Sequence, residues 1–375
     1  MAREYENIDP NEPAGGGAPD PLAGTGYRTV GRLGSGSVSE VLDAIHVGLG
    51  KRVAVKLLTE NAAGDALLSE RLRLEAEALA RLDHPNLVTV MDLGRCADGR
   101  PFFVMPRLQG RTLHAELRAR GFIPVAEAVE LMKQLLSGLG AAHALGLVHR
   151  DLKPENVFLC DPIDGRRTLK VLDLSIAKVI SEAASAATPK PCALRTAEGS
   201  ALGTPRFLSP EQAMARAVDA RADVYGAGVV LYEMIAGRDP FHHVRGHLAL
   251  LRAHVLEAPS PPSSVAPQAI GAALDALVLK ALAKRREDRF DSAAELSSAL
   301  DRAALAVIEA PAPARWLVTE AMPLVTRGPL ERPDEPGSTA SPARRRAVSS
   351  LTSIAIIAIS ALVTTLLAAL ACKVL

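Results

Sequence analysis

The sequence predicts an α+β fold with one further helix of membrane-spanning length near its C-terminal end. Three observations lead there. Two β-type segments come early: one runs from Val30 to Val41 and turns back at glycines, the other is the apolar run Val53-Ala54-Val55-Lys56. Residues 70–79, dense in Glu, Arg, Leu and Ala, read as a strong helix. Residues 351–372 are apolar and carry no charge.

Residues 1–26 are rich in Pro, Gly and acidic side chains and are expected to form a disordered tail. Val30-Gly31-Arg32-Leu33-Gly34-Ser35-Gly36-Ser37-Val38-Ser39-Glu40-Val41 follows, with glycines where the strand reverses. A missing side chain there permits a tight turn and close approach of backbone to a phosphate. Taken alone, an ordinary Gly-Ser hairpin is the plainer reading. The next strand ends on Lys56, and a lone lysine at a strand end is usually a solvated edge residue. A lysine that grips phosphates, however, needs a buried carboxylate to hold it. Glu75 in the helical segment is the natural partner; Glu77 competes, but Leu74 and Leu79 set Glu75 nearer the apolar face.

His149-Arg150-Asp151-Leu152-Lys153-Pro154-Glu155-Asn156 is the most informative stretch. One short loop holds an Asp to orient a hydroxyl, a Lys to balance γ-phosphate charge and an Asn to hold Mg²⁺, which are parts that phosphoryl transfer needs. Downstream, Leu169-Lys170-Val171-Leu172-Asp173 reads as an apolar strand delivering a carboxylate, a hard oxygen ligand suited to Mg²⁺. Gly203-Thr204-Pro205 and Ser209-Pro210-Glu211 come next.

In this order and spacing the motifs resemble a protein kinase of the bacterial, eukaryotic-like serine/threonine class, from about residue 27 to residue 304. The resemblance implies a two-lobed protein kinase fold, with a small β-rich lobe over 27–107 and a larger helical lobe over 108–305. It implies an ATP cleft that includes Leu33, Gly34, Gly36, Val41 and Ala54, with Lys56 on the α/β-phosphates and paired to Glu75. Met105 would be the gatekeeper of the hinge 103–108, and adenine would bond to the Pro106 carbonyl and the Leu108 backbone. Asp151 would be the catalytic base, Lys153 would face the γ-phosphate, and Asn156 and Asp173 would hold Mg²⁺, with Mn²⁺ as a substitute. Thr204 would brace Asp151, Glu211 would pair with Arg289, and Asp223 would anchor the catalytic loop.

Three positions depart from the family pattern. Asp-Phe-Gly is here Asp173-Leu174-Ser175, the third lid glycine is Ser39, and Ala-Pro-Glu is Ser209-Pro210-Glu211. The polar set Lys56, Glu75, Asp151, Asn156 and Asp173 is complete, which argues against a catalytically dead relative. Arg150 directly before Asp151 implies, in this family, control by a phosphate on the segment between Asp173 and Glu211. Thr196 and Ser200 are the candidate acceptors.

Lys+Arg 43 against Asp+Glu 42 leaves a net charge of +1, so no polybasic surface points to nucleic acid. The cysteines at 96, 160, 192 and 372 show no paired or metal-ligand spacing and suit a reducing compartment. No basic segment followed by an apolar run precedes the domain, so no signal peptide is expected. Residues 306–350 read as a Pro-rich linker. At about 1.5 Å per residue, 351–372 can cross a hydrocarbon core of about 30 Å. Arg344-Arg345-Arg346 before this run, against Lys373 alone after it, sets the preceding domain on the cytoplasmic side of a cell membrane. Residues 373–375 would emerge beyond, and Ala368 and Ala371 could support self-association in the bilayer.

The expected function is Mg²⁺-dependent transfer of the ATP γ-phosphate to protein serine or threonine hydroxyls at the inner face of a membrane. The alternatives are a membrane-tethered scaffold that binds nucleotide without turnover, to which Ser175 and Ser39 give a foothold, and a small-molecule kinase. The motifs Gly203-Thr204-Pro205 and Ser209-Pro210-Glu211, a peptide-binding platform, argue against the last.

Overall fold

Burial that deepens from β1 to β3 sets the first layer. β1 (Tyr27–Ser35), β2 (Ser39–His46) and β3 (Arg52–Leu58) form an antiparallel meander, extended by β4 (Asp92–Arg95) and β5 (Pro101–Pro106) in the order β1-β2-β3-β5-β4. β3 is buried along all but its first residue, as a central strand must be, and β1 is mostly exposed. The structure, a computed structural model, describes residues 20–173 and 205–309, except 37, 63, 163 and 164. The apolar run 351–372, the linker 306–350 beyond residue 309, and Leu174, Ser175, Thr196, Ser200 and Thr204 lie outside the described residues. Among the described residues no helix is long and apolar enough to cross a membrane.

Order begins before residue 27. Asp20 accepts from the Leu22 and Thr29 backbone N–H groups, each at 3.0 Å, and Leu22 is fully buried beneath the sheet with Tyr27 and Phe102. The expected disordered tail 1–26 is therefore shortened from its C-terminal side: apolar burial of Leu22 outweighs the Gly-rich composition around it.

Helix α1 (Ala66–Ala80) starts where the Asp65 carboxylate accepts from the Leu67 and Leu68 N–H groups at 2.8 and 3.1 Å. Its buried stripe is Leu72, Glu75, Ala76 and Leu79. Glu75 does lie on the inner face, but Leu72 rather than Leu74 marks that face. Glu77 pairs instead with Arg73 on the outside.

The remaining elements are mainly helical: α2 (Leu113–Arg120), α3 (Val125–Ala144), α4 (Pro210–Ala213), α5 (Arg221–Ala236), α6 (His247–Leu256), α7 (Ala272–Ala281) and α8 (Ala293–Glu309). A small sheet β6 (Gly110–Thr112), β7 (Val157–Cys160) and β8 (Leu169–Val171) sits among them. α5 is buried along nearly its whole length and acts as the post on which the catalytic segment rests. A Cβ on Gly226 of α5 would come within 3.3 Å of the Leu152 Cβ, so a side chain there would press on that segment.

The deepest charged pair of this lobe is Glu211 with Arg289, two parallel bonds of 2.8 Å between side chains almost without solvent contact. Arg289 also donates to the carbonyls of Ala283, Lys284 and Arg221. Burial works against the Glu211 carboxylate, but the Arg289 guanidinium outweighs it and holds its pKa below the usual range. Arg289→Ala should lower the unfolding free energy measured in urea by about 3–5 kcal/mol, because it strands a buried carboxylate; adding Glu211→Gln should recover part of the loss.

Candidate active site

β3 places Lys56 on the inner face of the first sheet, opposite Phe103 of β5. Its ammonium donates to Glu75 Oε1 and Asp173 Oδ1, each at 2.8 Å, and lies 5.7 Å from the Phe103 ring centroid. Burial by itself would lower the pKa of this lysine. The Asp173 and Glu75 carboxylates outweigh that and hold its pKa above the ordinary lysine range. Burial raises the pKa of Glu75, opposed by Lys56 and reinforced by Asp173. Burial also disfavours the charged Asp173, but Lys56 prevails and keeps it ionised.

Asp173 reaches this position from β8 with φ 51°, a left-handed conformation that aspartate tolerates better than most residues. β8 is itself held firmly. Asn86 donates to the Leu169 carbonyl at 2.9 Å and accepts from the Val171 N–H at 2.8 Å, and Val88 donates to the Val171 carbonyl at 3.1 Å.

The loop after α3 is fixed by Asp223 of α5. Its carboxylate accepts from the His149 and Arg150 backbone N–H groups at 2.7 and 2.8 Å and contacts His143 Nε2 at 2.7 Å. Arg150 takes φ 63°, a strained conformation imposed by this clamp and by Gln212, which donates to the Arg150 carbonyl at 2.6 Å. His149 bridges the loop to the Leu172 carbonyl at 2.9 Å and braces the chain without reaching the cleft. Beyond it, Lys153 Nζ stands 2.6 Å from Asp151 Oδ2. Asn156 donates to the Asp151 carbonyl at 2.8 Å, which leaves its amide oxygen as the free ligand atom.

An apolar cleft of about 490 Å³ opens beside Asp173. Of the ten sequence-predicted nucleotide-site residues, Leu33, Gly34, Val41, Ala54, Met105, Pro106 and Leu108 line it. Lys56 and Glu75 stand outside the lining, joined to it through Asp173. Gly36 belongs to the β1–β2 turn, where its N–H donates to the Ser39 carbonyl at 2.8 Å and a Cβ would lie 3.3 Å from that same oxygen. Met105 and Pro106 are still part of β5, and Arg107 donates to the Leu108 carbonyl, so that carbonyl already has a donor.

Several lining residues escaped the sequence reading: Val88, Thr112, Glu155, Phe158 and Leu172. The burial of β7 alternates, with Val157 and Leu159 in the core and Phe158 between them turned to the cleft floor. Val157-Phe158-Leu159-Cys160 is apolar throughout, so its sequence carries no alternation that could have marked Phe158 as cleft-facing.

Asn156 and Asp173 offer only oxygen donors. No group of three or more His, Cys, Asp or Glu side chains suited to a metal occurs among the described residues. Two hard ligands completed by substrate phosphates and water suit Mg²⁺, which is seldom enclosed by protein alone.

Residues 27–299 match the protein kinase domain. Serine/threonine-protein kinase Pkn1 of Myxococcus xanthus is 41% identical over 286 residues, 76% of this chain and 39% of that protein. Serine/threonine-protein kinase PknB of Mycobacterium tuberculosis is 38% identical over 273 residues, 72% of this chain and 41% of that protein. The chain thus spans about two fifths of the length of these relatives. Among solved structures, the Mycobacterium tuberculosis PknI kinase domain aligns with a TM-score of 0.58 at 25% identity, covering 77% of this chain and 99% of that one.

Asp223→Asn should turn an amide N–H toward one of the two loop N–H groups. Each lost bond of this kind to a charged acceptor is worth about 1.5–3 kcal/mol, so turnover should fall by about 10- to 100-fold while the KM for the nucleotide changes little. Steady-state kinetics separate the two quantities.

Proposed function

The chain belongs to the protein kinase family, and from that premise we propose that it transfers the γ-phosphate of ATP to serine or threonine hydroxyls of proteins. The observation that carries this reading is the charged Lys56, gripped by Glu75 and Asp173 at the edge of an apolar cleft. The relatives at 41% and 38% identity are both named serine/threonine-protein kinases, which supports the acceptor class.

The roles follow from position. The apolar walls around Ala54, Val41 and Phe158 take the adenine. Lys56, kept cationic by its two carboxylates, contacts the α/β-phosphates. Mg²⁺, held by Asn156 and Asp173, would draw charge from the phosphates in transfer. Asp151 orients the acceptor hydroxyl and accepts its proton as the new O–P bond forms and the bond from the γ-phosphorus to the β-bridging oxygen breaks. Lys153, 2.6 Å from Asp151, balances the charge of the moving phosphoryl group. ADP leaves with the electrons of the broken bond.

Two further parts of the reading concern setting and control. The run 351–372 anchors the chain in a bilayer, with the arginines at 344–346 retained on the kinase side. Phosphorylation at Thr196 or Ser200 regulates transfer, with the buried Arg150, directly before Asp151, as the responding cation. The complete polar set speaks against a scaffold without turnover.

With Mg-ATP and a generic basic protein, the wild-type chain should place phosphate on serine and threonine, and Asp151→Asn should lower the rate by about 10²- to 10⁴-fold. Equal rates in the two proteins would refute the assignment of Asp151. In cells, Ile357→Arg should move the protein from the membrane pellet to the soluble fraction, since a charge inside the apolar run costs up to about 2.5–3.5 kcal/mol, the figure for a span centre. Unchanged sedimentation with membranes would refute the anchor.

A further inference from the structure

A second pocket, about 360 Å³, lies beside α4 in the helical lobe, away from the nucleotide cleft. Its charged lining is Arg216, Lys284, Arg285 and Arg286, against Glu211 and Glu287. The two carboxylates do not balance the four cations. Glu211 has both oxygens committed to Arg289, and Glu287 approaches only Arg285, at 3.7 Å on the open surface. Arg286 is partly satisfied by Asp219 at 3.1 Å.

Arg216 and Lys284 are the telling members. Among the described residues neither has a carboxylate oxygen within 4.0 Å: Arg216 follows the positive-φ residue Ala215, and Lys284 donates to the backbone carbonyls of His254 at 2.9 Å and Ala253 at 3.3 Å. Burial lowers the Lys284 pKa to about 8, with Glu257 opposing and Arg289 adding to the shift. Lys284 lies 4.7 Å over the Phe241 ring and is held by the two carbonyls, so it contributes fixed positive charge to the wall, while the exposed Arg216 is the cation left open to an incoming anion.

The chemistry of the pocket suits a tetrahedral dianion, and its size leaves room for the group that carries it. Guanidinium groups match phosphate oxygens in paired bonds, and Lys284 adds a point charge. Its place in the fold favours a peptide carrier. α4 forms one wall and, through Gln212, bonds the Arg150 carbonyl of the catalytic loop at 2.6 Å. Met214 and Leu256, 36% and 68% exposed, are available to the apolar residues of a bound chain.

We propose that this pocket binds the phosphoryl group of a phosphoserine or phosphothreonine already present on a protein substrate, so that substrates modified once are held for a further transfer. The proposal rests on the serine/threonine kinase reading for its substrate class, but the binding event itself requires no turnover.

The test uses the full chain with its nucleotide cleft saturated by Mg-ADP. A fluorescein-labelled phosphoserine peptide and its unphosphorylated twin are titrated by anisotropy. The wild type should prefer the phosphopeptide by about tenfold or more, as one or two charge-assisted bonds provide. In Arg216→Ala/Arg285→Ala, two exposed positions, the preference should disappear while phosphorylation of a generic basic protein is unchanged; Arg216→Ala alone serves if the pair does not fold. Equal binding of the two peptides by the wild type, or a preference undiminished in the variants, would overturn the proposal. Binding to anionic lipid vesicles with no phosphopeptide preference would overturn it too. A wild type that shows the preference yet transfers no phosphate would contradict the kinase reading and leave this pocket assigned.

Discussion

The ammonium of Lys56 is the constraint on which the rest of the structure turns. Removed from water, it is held well on the charged side by Glu75 and Asp173, each 2.8 Å away. Those carboxylates come from separate parts of the chain, one from α1 and the other from the residue after Leu172, so a single cation couples a helix of the first lobe to a strand end of the second. The docking of α1, the left-handed backbone at Asp173 and the pairing of β8 with residues 86–88 all serve that meeting. None of them would be needed by a sheet built for stability alone.

A second set of buried charges does for the loop what Lys56 does for the nucleotide cleft. Asp223 and the Glu211–Arg289 pair are almost fully buried; Asp223 spends its oxygens on two backbone N–H groups and His143, and the pair spends its hydrogen bonds on backbone and on each other. Buried ionic groups of this kind add little net stability compared with apolar packing, but they are expensive to break. Their value here is geometric. Asp223, with Gln212, holds Arg150 in a conformation it would not choose, and so fixes where Asp151 and Lys153 stand; the Glu211–Arg289 pair ties α4 to the 283–289 segment.

What was legible in the sequence follows from this division. Lys56, Glu75, Asp151, Asn156 and Asp173 are chemically conspicuous in local order and spacing, whereas Asp223 and the Glu211–Arg289 pair were expected only through the resemblance to a protein kinase. Glu75 rather than Glu77 meets Lys56, as helical spacing predicts, although Leu72 and not Leu74 shares its buried face. The apolar lining was less visible. Val88, Phe158 and Leu172 converge on the cleft only after distant segments pack, and nothing local sets a cleft-facing Phe apart from a core one. The order of residues 20–26 was hidden for the same reason, since Leu22 gains its burial from Tyr27 and Phe102. The basic pocket beside α4 joins residue 216 to residues 284–286, a proximity that exists only in the folded chain.

A double-mutant cycle on Mg-ADP affinity with Lys56→Met and Glu75→Gln, read by calorimetry, tests the central claim most directly. If Glu75 acts by holding Lys56, each single variant weakens binding, and the double variant binds no more weakly than Lys56→Met alone, giving a coupling energy of about 1 kcal/mol or more. Losses that simply add would show that Glu75 and Lys56 act independently, and would contradict the account.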